Sequence, residues 1–432
     1  MTTKITQANT DFSVTEWQSV KTSDFTAVAG EGYFVDTTST AITVTLPASP
    51  SFGDTIIIND YASTFATNNV TLDPNGNKIE ASTSNGILET NDQTHTLVYT
   101  DSTQGWKIIN QDTASGIQPS FISATGGTIT TSGDFKIHTF TGDGCFVISS
   151  LGCGIPCAQA STVDYTVVAG GGGGGGRHGG GGGAGGFRES KDSTLNSPHT
   201  VSPLAATTGL TVSATTYPVT VGAGGTGGDK NPSSAGTNGS NSVFSTITST
   251  GGGRGYTYAT GNPGSGGQPG GSGGGGGHTQ CSGIPGGSGN TPPTSPPQGN
   301  NGGAGLCGGT YDYNGGGGGG ATAAGGTAPS IGGGDGGAGA TTHINGSPTA
   351  FAGGGGGGNY HNSPAPGGTG GSGGGGAGGG GPPASPTAAT TGTTNTGGGG
   401  GGYGGTNPGN PSPICQGAAG GKGIVIIRYK YQ

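Results

Sequence analysis

The chain has 432 residues, a formal net charge of −8, 8% charged and 28% hydrophobic residues, and 108 glycines. So few apolar residues exclude one large hydrophobic core, and the glycine distribution is unlike that of an enzyme: seven fall in residues 1–117 and the other 101 in residues 118–432. The acid excess sits in the first part, with 13 Asp/Glu against 4 Lys/Arg, whereas the second part has 8 against 9 and offers no basic patch for nucleic acid or anionic lipid.

Residues 1–24 are polar apart from Phe12, Val14 and Trp17, and read as an attachment arm with those three as virion-docking residues or, equally, as part of a local core. No stretch of 18 apolar residues occurs, and Met1–Gln7 lacks the apolar segment of a secretory signal, so the expectation is a soluble product with no membrane insertion and no standard N-terminal export. From 25 to 117 the pattern is all β. Ala41–Leu46 alternates apolar and polar residues, Asp54–Ile58 reads as a buried strand, and Asn75-Gly76 after Val70–Leu72 signals a hairpin turn. His95–Tyr99 and Trp106–Ile109 around Asp101–Gly105 read as a closing hairpin, and the spacing suggests a small sandwich or jelly-roll-like module. After a linker at 112–120, Gly127–Thr130, Lys136–Phe140, Cys145–Ile148 and Asp164–Val168 form a second β segment. It is expected to pair with a C-terminal strand, Ile424–Tyr431, as a platform (118–168 plus 424–431) for the glycine-rich region. A further hairpin is expected around Leu210–Ser213 and Val219–Val221.

The glycine comes in unbroken runs, among them Gly170–Gly176, Gly315–Gly320, Gly353–Gly358 and Gly397–Gly402. No sustained Gly-X-Y frame is present, which excludes collagen. A disordered linker is disfavoured by the β-branched segments that bracket the tract. The remaining solution is a bundle of polyglycine II helices, extended threefold helices that make no internal hydrogen bonds and must satisfy their N–H and C=O groups on neighbours. Such backbones approach only where no Cβ separates them, so all-glycine runs belong inside, and a segment such as Gly-Gly-Thr369-Gly-Gly-Ser372 shows one face to solvent. The fold class is therefore an all-β, sandwich-like N-terminal module followed by a β platform and a 118–432 domain of stacked polyglycine II helices, with essentially no α-helix.

Nothing in the chain reads as catalytic machinery. Matches to G-x-G-x-x-G arise by chance at this glycine content, Gly417–Lys422 has the wrong spacing for a phosphate loop, and the seven histidines form neither H-x-H nor H-E-x-x-H. Glu189 and Asp192 beside Arg188 and Lys191 read as a solvated salt-bridge turn. The six cysteines, Cys145, Cys153, Cys157, Cys281, Cys307 and Cys415, lack zinc spacing and are either free thiols or disulfides formed after release. The expectation is no enzyme, no metal and no cofactor. Recognition then falls to the loops joining the runs: Arg254, Tyr256 and Tyr258; His278; Tyr311, Asp312, Tyr313 and Asn314; Asn359, Tyr360 and His361; and Tyr403. A tyrosine at a loop base can instead simply cap the bundle end.

The phrases Gly32–Thr38, Ile42–Pro50, Leu72–Ile79, and Leu97–Tyr99 with Gln104–Trp106 resemble a module of structural and tail-fibre proteins of marine tailed phages, cyanophages especially. Tyr165–Gly171, Gly183–Glu189, Asn241–Ser249, Thr393–Gly397 and Gly423–Tyr429 resemble phage glycine-rich fibre domains. The architecture is similar to that of T-even-type tail-fibre adhesins, whose stacked polyglycine helices present variable loops to a host receptor; the N-terminal half departs from them. The resemblance implies a tail-fibre or tail-tip location on the virion, with a host outer-membrane protein or surface glycan and other tail proteins as partners. A homotrimer is common for fibres, although no spacing here fixes one. The alternative is a purely structural fibre, virion decoration or self-associating cell-surface filament subunit, and a cap for another fibre is a third reading.

Overall fold

The computed structural model describes residues 15–109, 121–152, 161–191, 200–229, 235–258, 266–279, 282–308, 312–359, 365–380, 387–405 and 416–431. Among them there is no α-helix, and every regular element is a strand. The chain divides into two compact units, one comprising Met1–Ser123, Ser150–Ser161 and Tyr431–Gln432, the other Ala124–Ser149 and Thr162–Lys430.

In the first unit alternation of apolar and polar residues builds two sheets that share one core. Ile42–Thr45 and Thr55–Asp60 each bury every second side chain, and Tyr33, Val35, Ile42, Val44, Ile56, Ile58, Leu72, Leu97 and Trp106 meet between the sheets. Two sheets on one core make the expected sandwich, and their pairing differs from that of a jelly roll. Glu16–Trp17, Glu31–Val35 and Thr55–Asp60 are parallel neighbours in one sheet, and Phe25–Thr26, Ile42–Thr45 and Val70–Asp73 are parallel neighbours in the other. The chain thus alternates between sheets and lays each strand beside the one laid a turn earlier, as in a short solenoid, a repeat the sequence reading did not find. Period-two patterning specifies which face is buried but not the direction of the neighbour, so it is silent on this point. Asn75 and Gly76 do form a turn with positive φ, 52° and 83°. It does not close a tight hairpin, because Val70–Asp73 pairs with Gly86–Leu88. Thr94–Asp101 and Gly105–Ile108 form the expected closing hairpin, and Asp101 accepts the backbone N–H groups of Thr103 and Gln104 at 2.7 Å in its turn.

In the second unit the C-terminal strand Ile424–Lys430 lies between Phe135–Phe140 and Thr162–Val168 and is antiparallel to both. Phe187–Ser190, Ala205–Ala206 and Thr128–Ser132 extend this sheet. A second sheet carries Ser123–Thr125, Gly144–Ser150, Thr216–Thr220, Ser242–Phe244 and Ile247–Ser249 in that order. The buried hydroxyls of Ser242 and Ser249 join the two, donating to the carbonyls of Val168 and Val167 at 2.8 and 2.7 Å. Buried in the same platform, Arg428 lies opposite Asp164 in the ladder, donates to the carbonyls of His343 and Ile344, and places its guanidinium 4.3 Å from the Phe135 ring.

The glycine runs continue from this platform as polyglycine II helices. Gly170 and Gly173 donate to Ser240 and Thr237, Gly171 and Gly174 to Gly421 and Ala418, and Gly172 and Gly175 to Gly183 and Gly180, all within 2.8–3.0 Å. Three successive residues therefore bond to three different neighbours and the cycle repeats, the signature of a threefold helix. None of the glycines in 170–176 or 315–320 has a positive φ. The 179–186 segment is fully enclosed. It donates to the segments around 250–256, 316–319 and 397–400 and accepts from those around 169–175, 272–275 and 355–358. Outer helices keep a side chain at every third position: Ala223 and Thr226 are exposed while glycines 222, 225 and 228 are buried, and Thr369 and Ser372 are exposed as their spacing indicates.

Candidate functional site

The direction of each helix follows from its hydrogen bonds. Gly225 and Gly228 donate to Gly171 and Gly174, so 222–228 runs parallel to 170–176, and Gly252 and Gly255, bonded to Gly170 and Gly173, place 250–256 in the same sense. Gly400 and Tyr403, bonded to Gly172 and Gly175, do so for 397–403. The 179–186 helix runs the other way, and 271–277 and 353–358 are antiparallel to it. All these ascending helices start at the platform and finish at the opposite end of the bundle. Residues 177–178, 257–258, 278, 359 and 403–405 are consequently gathered at one tip.

An aromatic and imidazole cluster occupies this tip. Arg177 and His178 are the two side chains between the 170–176 run and the next, and both adopt positive φ, 41° and 59°, in the reversal. His178 Nδ1 and His278 Nε2 lie 2.7 Å apart. A hydrogen bond between them needs a lone pair on one and a proton on the other. Tyr313 stacks at 5.2 Å on His178 and 4.2 Å from His278, Tyr258 lies 5.5 and 5.6 Å from the same two rings, and the Arg177 guanidinium stands 5.0 Å from the Tyr258 ring. Beneath them the Tyr256 hydroxyl donates to the His278 carbonyl at 3.0 Å. Burial, followed by repulsion from His278 and Arg177, holds the His178 pKa well below the usual imidazole value, and burial raises the Tyr256 hydroxyl to about 12. His178 and Tyr256 are therefore neutral at pH 7.

Several residues expected in displayed loops are interior. Tyr256, His278, Asn314, Asn359 and Tyr403 are each at most 2% exposed. Asn314 donates to the Pro329 and Ser330 carbonyls at 3.0 and 3.2 Å, and Asn359 donates to the Ala365 carbonyl at 2.6 Å. These side chains seal helix ends. Each follows an ascending helix or precedes a descending one inside the lattice, where neighbours surround it. Tyr258 and Tyr313 are partly exposed, as is Arg254, whose backbone N–H binds Asn238 on the bundle flank. Asp312 belongs to a short strand paired with Leu306–Gly308. Tyr311, Tyr360 and His361 lie outside the described residues, as do Phe12 and Val14. Trp17 is 47% exposed and stacks on Phe34 at 4.6 Å. Arg177 and His178 were missed by sequence reasoning. Their signal was present, since two large side chains interrupting the longest glycine tract mark a helix reversal. Among the described residues no group of three His, Cys, Asp or Glu side chains is placed to hold a metal ion.

The flanks carry a second arrangement that sequence reasoning missed. On outer helices a side-chain oxygen accepts an outward N–H from the next helix: Asn241 from Gly251 and Asn238 from Arg254 at 2.9 Å, Thr237 from Thr226 at 2.9 Å, Asn301 from Gly289 at 2.9 Å, Asp335 from Thr369 and Thr390 from Ala377 at 2.7 Å. These are donors that a further layer of helices would otherwise take, and the side chains terminate the lattice.

Comparison with curated proteins finds no match. The profile of the family described as a glycine-rich domain matches residues 155–430, the span that contains the helix lattice, its tip and the closing strand. The chain, on that match over most of its length, belongs to the glycine-rich domain family.

Proposed function

We propose that the protein is a tail-fibre or tail-tip adhesin of a tailed phage, using the tip of the polyglycine bundle to bind a host cell-surface receptor, an outer-membrane protein or a surface glycan. The observation that carries this reading is the gathering of helix ends at one tip opposite the platform. A rigid lattice with little side-chain chemistry of its own displays a restricted set of aromatic and charged groups there, on connections that can differ without disturbing the helices. The N-terminal unit, with its half-exposed Trp17, would provide attachment to the virion or to a preceding fibre protein. Binding would be non-covalent, and no step of catalysis is assigned. The sealed outer flanks argue against a subunit that grows sideways through its lattice, which weakens the filament alternative.

The test is adsorption of the purified full chain to a panel of candidate host cells, with a circular-dichroism melt of the same sample. Saturable, strain-restricted adsorption that drops at least tenfold in a Tyr258→Ala, Tyr313→Ala double variant with an unchanged melt supports the reading. Cooperative melting with adsorption to no host turns it toward a structural fibre or decoration protein.

A further inference from the structure

We infer that Arg177, Tyr258 and Tyr313 form a binding site for a carboxylate-bearing sugar, such as a uronic acid of a surface polysaccharide; this deepens the adhesin reading and rests on it. Arg177 carries a permanent charge and makes no ion pair with any described residue. The backbone carbonyl of Asp229 faces Gly176, and the Asp229 carboxylate accepts a hydrogen bond from Gln416 at 3.3 Å. Where Arg177 stands 5.0 Å from the Tyr258 ring, the ring engages the guanidinium as a cation–π partner. A guanidinium held in this way keeps a planar fork of N–H donors that matches a carboxylate in bidentate fashion, with part of the ordering cost already met.

The second half of the recognition is aromatic. Tyr258 and Tyr313 are both partly exposed and both rest on the buried His178–His278 pair, which fixes their orientation from below. Rings held rigidly beside a cation offer flat apolar surface for the C–H face of a pyranose while the carboxylate reaches Arg177. A neutral sugar would use the rings alone. An acidic peptide would engage Arg177 and make no use of the exposed parts of the two rings, which is why the sugar is the assigned class.

The experiment titrates the isotopically labelled full chain with methyl glucuronide and methyl galacturonide, with methyl glucoside as the neutral counterpart and a short glutamate peptide as the acidic one. The expected result is saturable chemical-shift change at the Arg177, Tyr258 and Tyr313 resonances with at least one uronide. Affinity should fall at least tenfold for the glucoside, the peptide and the Arg177→Gln variant, less in Arg177→Lys, with unchanged melts. Equal response to glucoside, undiminished binding in Arg177→Gln, tighter binding of the peptide, or silence with both uronides overturns the proposal. Cell adsorption separates the two claims. Uronide binding without adsorption to any host retains the sugar site and removes the adhesin reading, whereas adsorption untouched by uronides and by Arg177→Gln retains the adhesin reading and removes the site.

Discussion

Gly355 and Gly400 approach so closely that a Cβ added to Gly355 would sit 2.1 Å from the Gly400 carbonyl oxygen. The obstacle is backbone, and that backbone is committed elsewhere, since Gly400 donates to Gly172 while Gly355 donates to Gly182. Gly355→Val is therefore expected to abolish the cooperative melt of the glycine-rich unit, a loss of about 4 kcal/mol or more. Gly399→Val should do the same, its Cβ meeting the Gly182 carbonyl oxygen at 1.9 Å. Ala223→Val, on an exposed outer face, is the control and should change stability by less than about 0.5 kcal/mol. Wild-type-like melting of both glycine variants would refute the interdigitated lattice.

Asn238 and Asn241 stand three residues apart on one outer helix and accept from Arg254 and Gly251 of its neighbour. Replacing either by Ala removes an acceptor from a backbone donor, at a cost of about 1 kcal/mol each. Thermal melts of the single and double variants check this. Sedimentation of the double variant adds a second readout, because uncovered donors on a polyglycine face suit another such face. A variant that stays monomeric with an unchanged melt would show these side chains to be ornaments of the surface rather than its seal.

His95 is 2% exposed in the core of the N-terminal unit, and among the described residues neither ring nitrogen has a hydrogen-bond partner. Burial depresses its pKa from 6.5 to about 4. Above pH 6.5 the imidazole is neutral in both folded and unfolded chains and pH has no effect through it. Between 6.5 and 4 the unfolded chain takes up a proton that the folded one does not, so stability falls as pH falls, by about 3 kcal/mol once pH is below 4. The stability of the N-terminal unit at pH 4 and pH 7 should differ by this amount more in the wild type than in His95→Leu. Equal acid loss in both proteins would mean that the imidazole titrates freely.

Trp17 rests on Phe34 at the edge of the first sheet, in a strand only two residues long. Trp17→Ala should cost about 2 kcal/mol, the aromatic pair together with the apolar area of a half-exposed ring. A destabilisation of 3 kcal/mol or more in a melt would make Trp17 a core residue and leave the docking role without support.

The glycine-rich lattice was legible because its rule is local: a run without Cβ atoms can only lie where backbones touch, and side chains three apart, as at Thr369 and Ser372, can only face outward. The C-terminal strand was legible for the same reason, since β-branched residues 424–427 need a sheet on both sides. What stayed hidden was non-local. Tyr258 and Tyr403 look alike in sequence, yet Tyr258 is partly exposed and Tyr403 is buried, and only the stacking order of helices far apart in the chain separates them. The parallel pairing of Glu31–Val35 with Thr55–Asp60 was hidden because alternation identifies a buried face without naming its neighbour.

The 179–186 helix binds six neighbours through consecutive residues, and this has a mechanical consequence. A strand at a sheet edge can be peeled off one bond at a time, so a small force suffices. A rod whose successive bonds point to different partners around its axis has no edge to peel from, and pulling along it loads its bonds together in shear. A domain built this way would transmit tension from its tip to the platform with little stretch, yielding abruptly where softer folds would unravel by degrees.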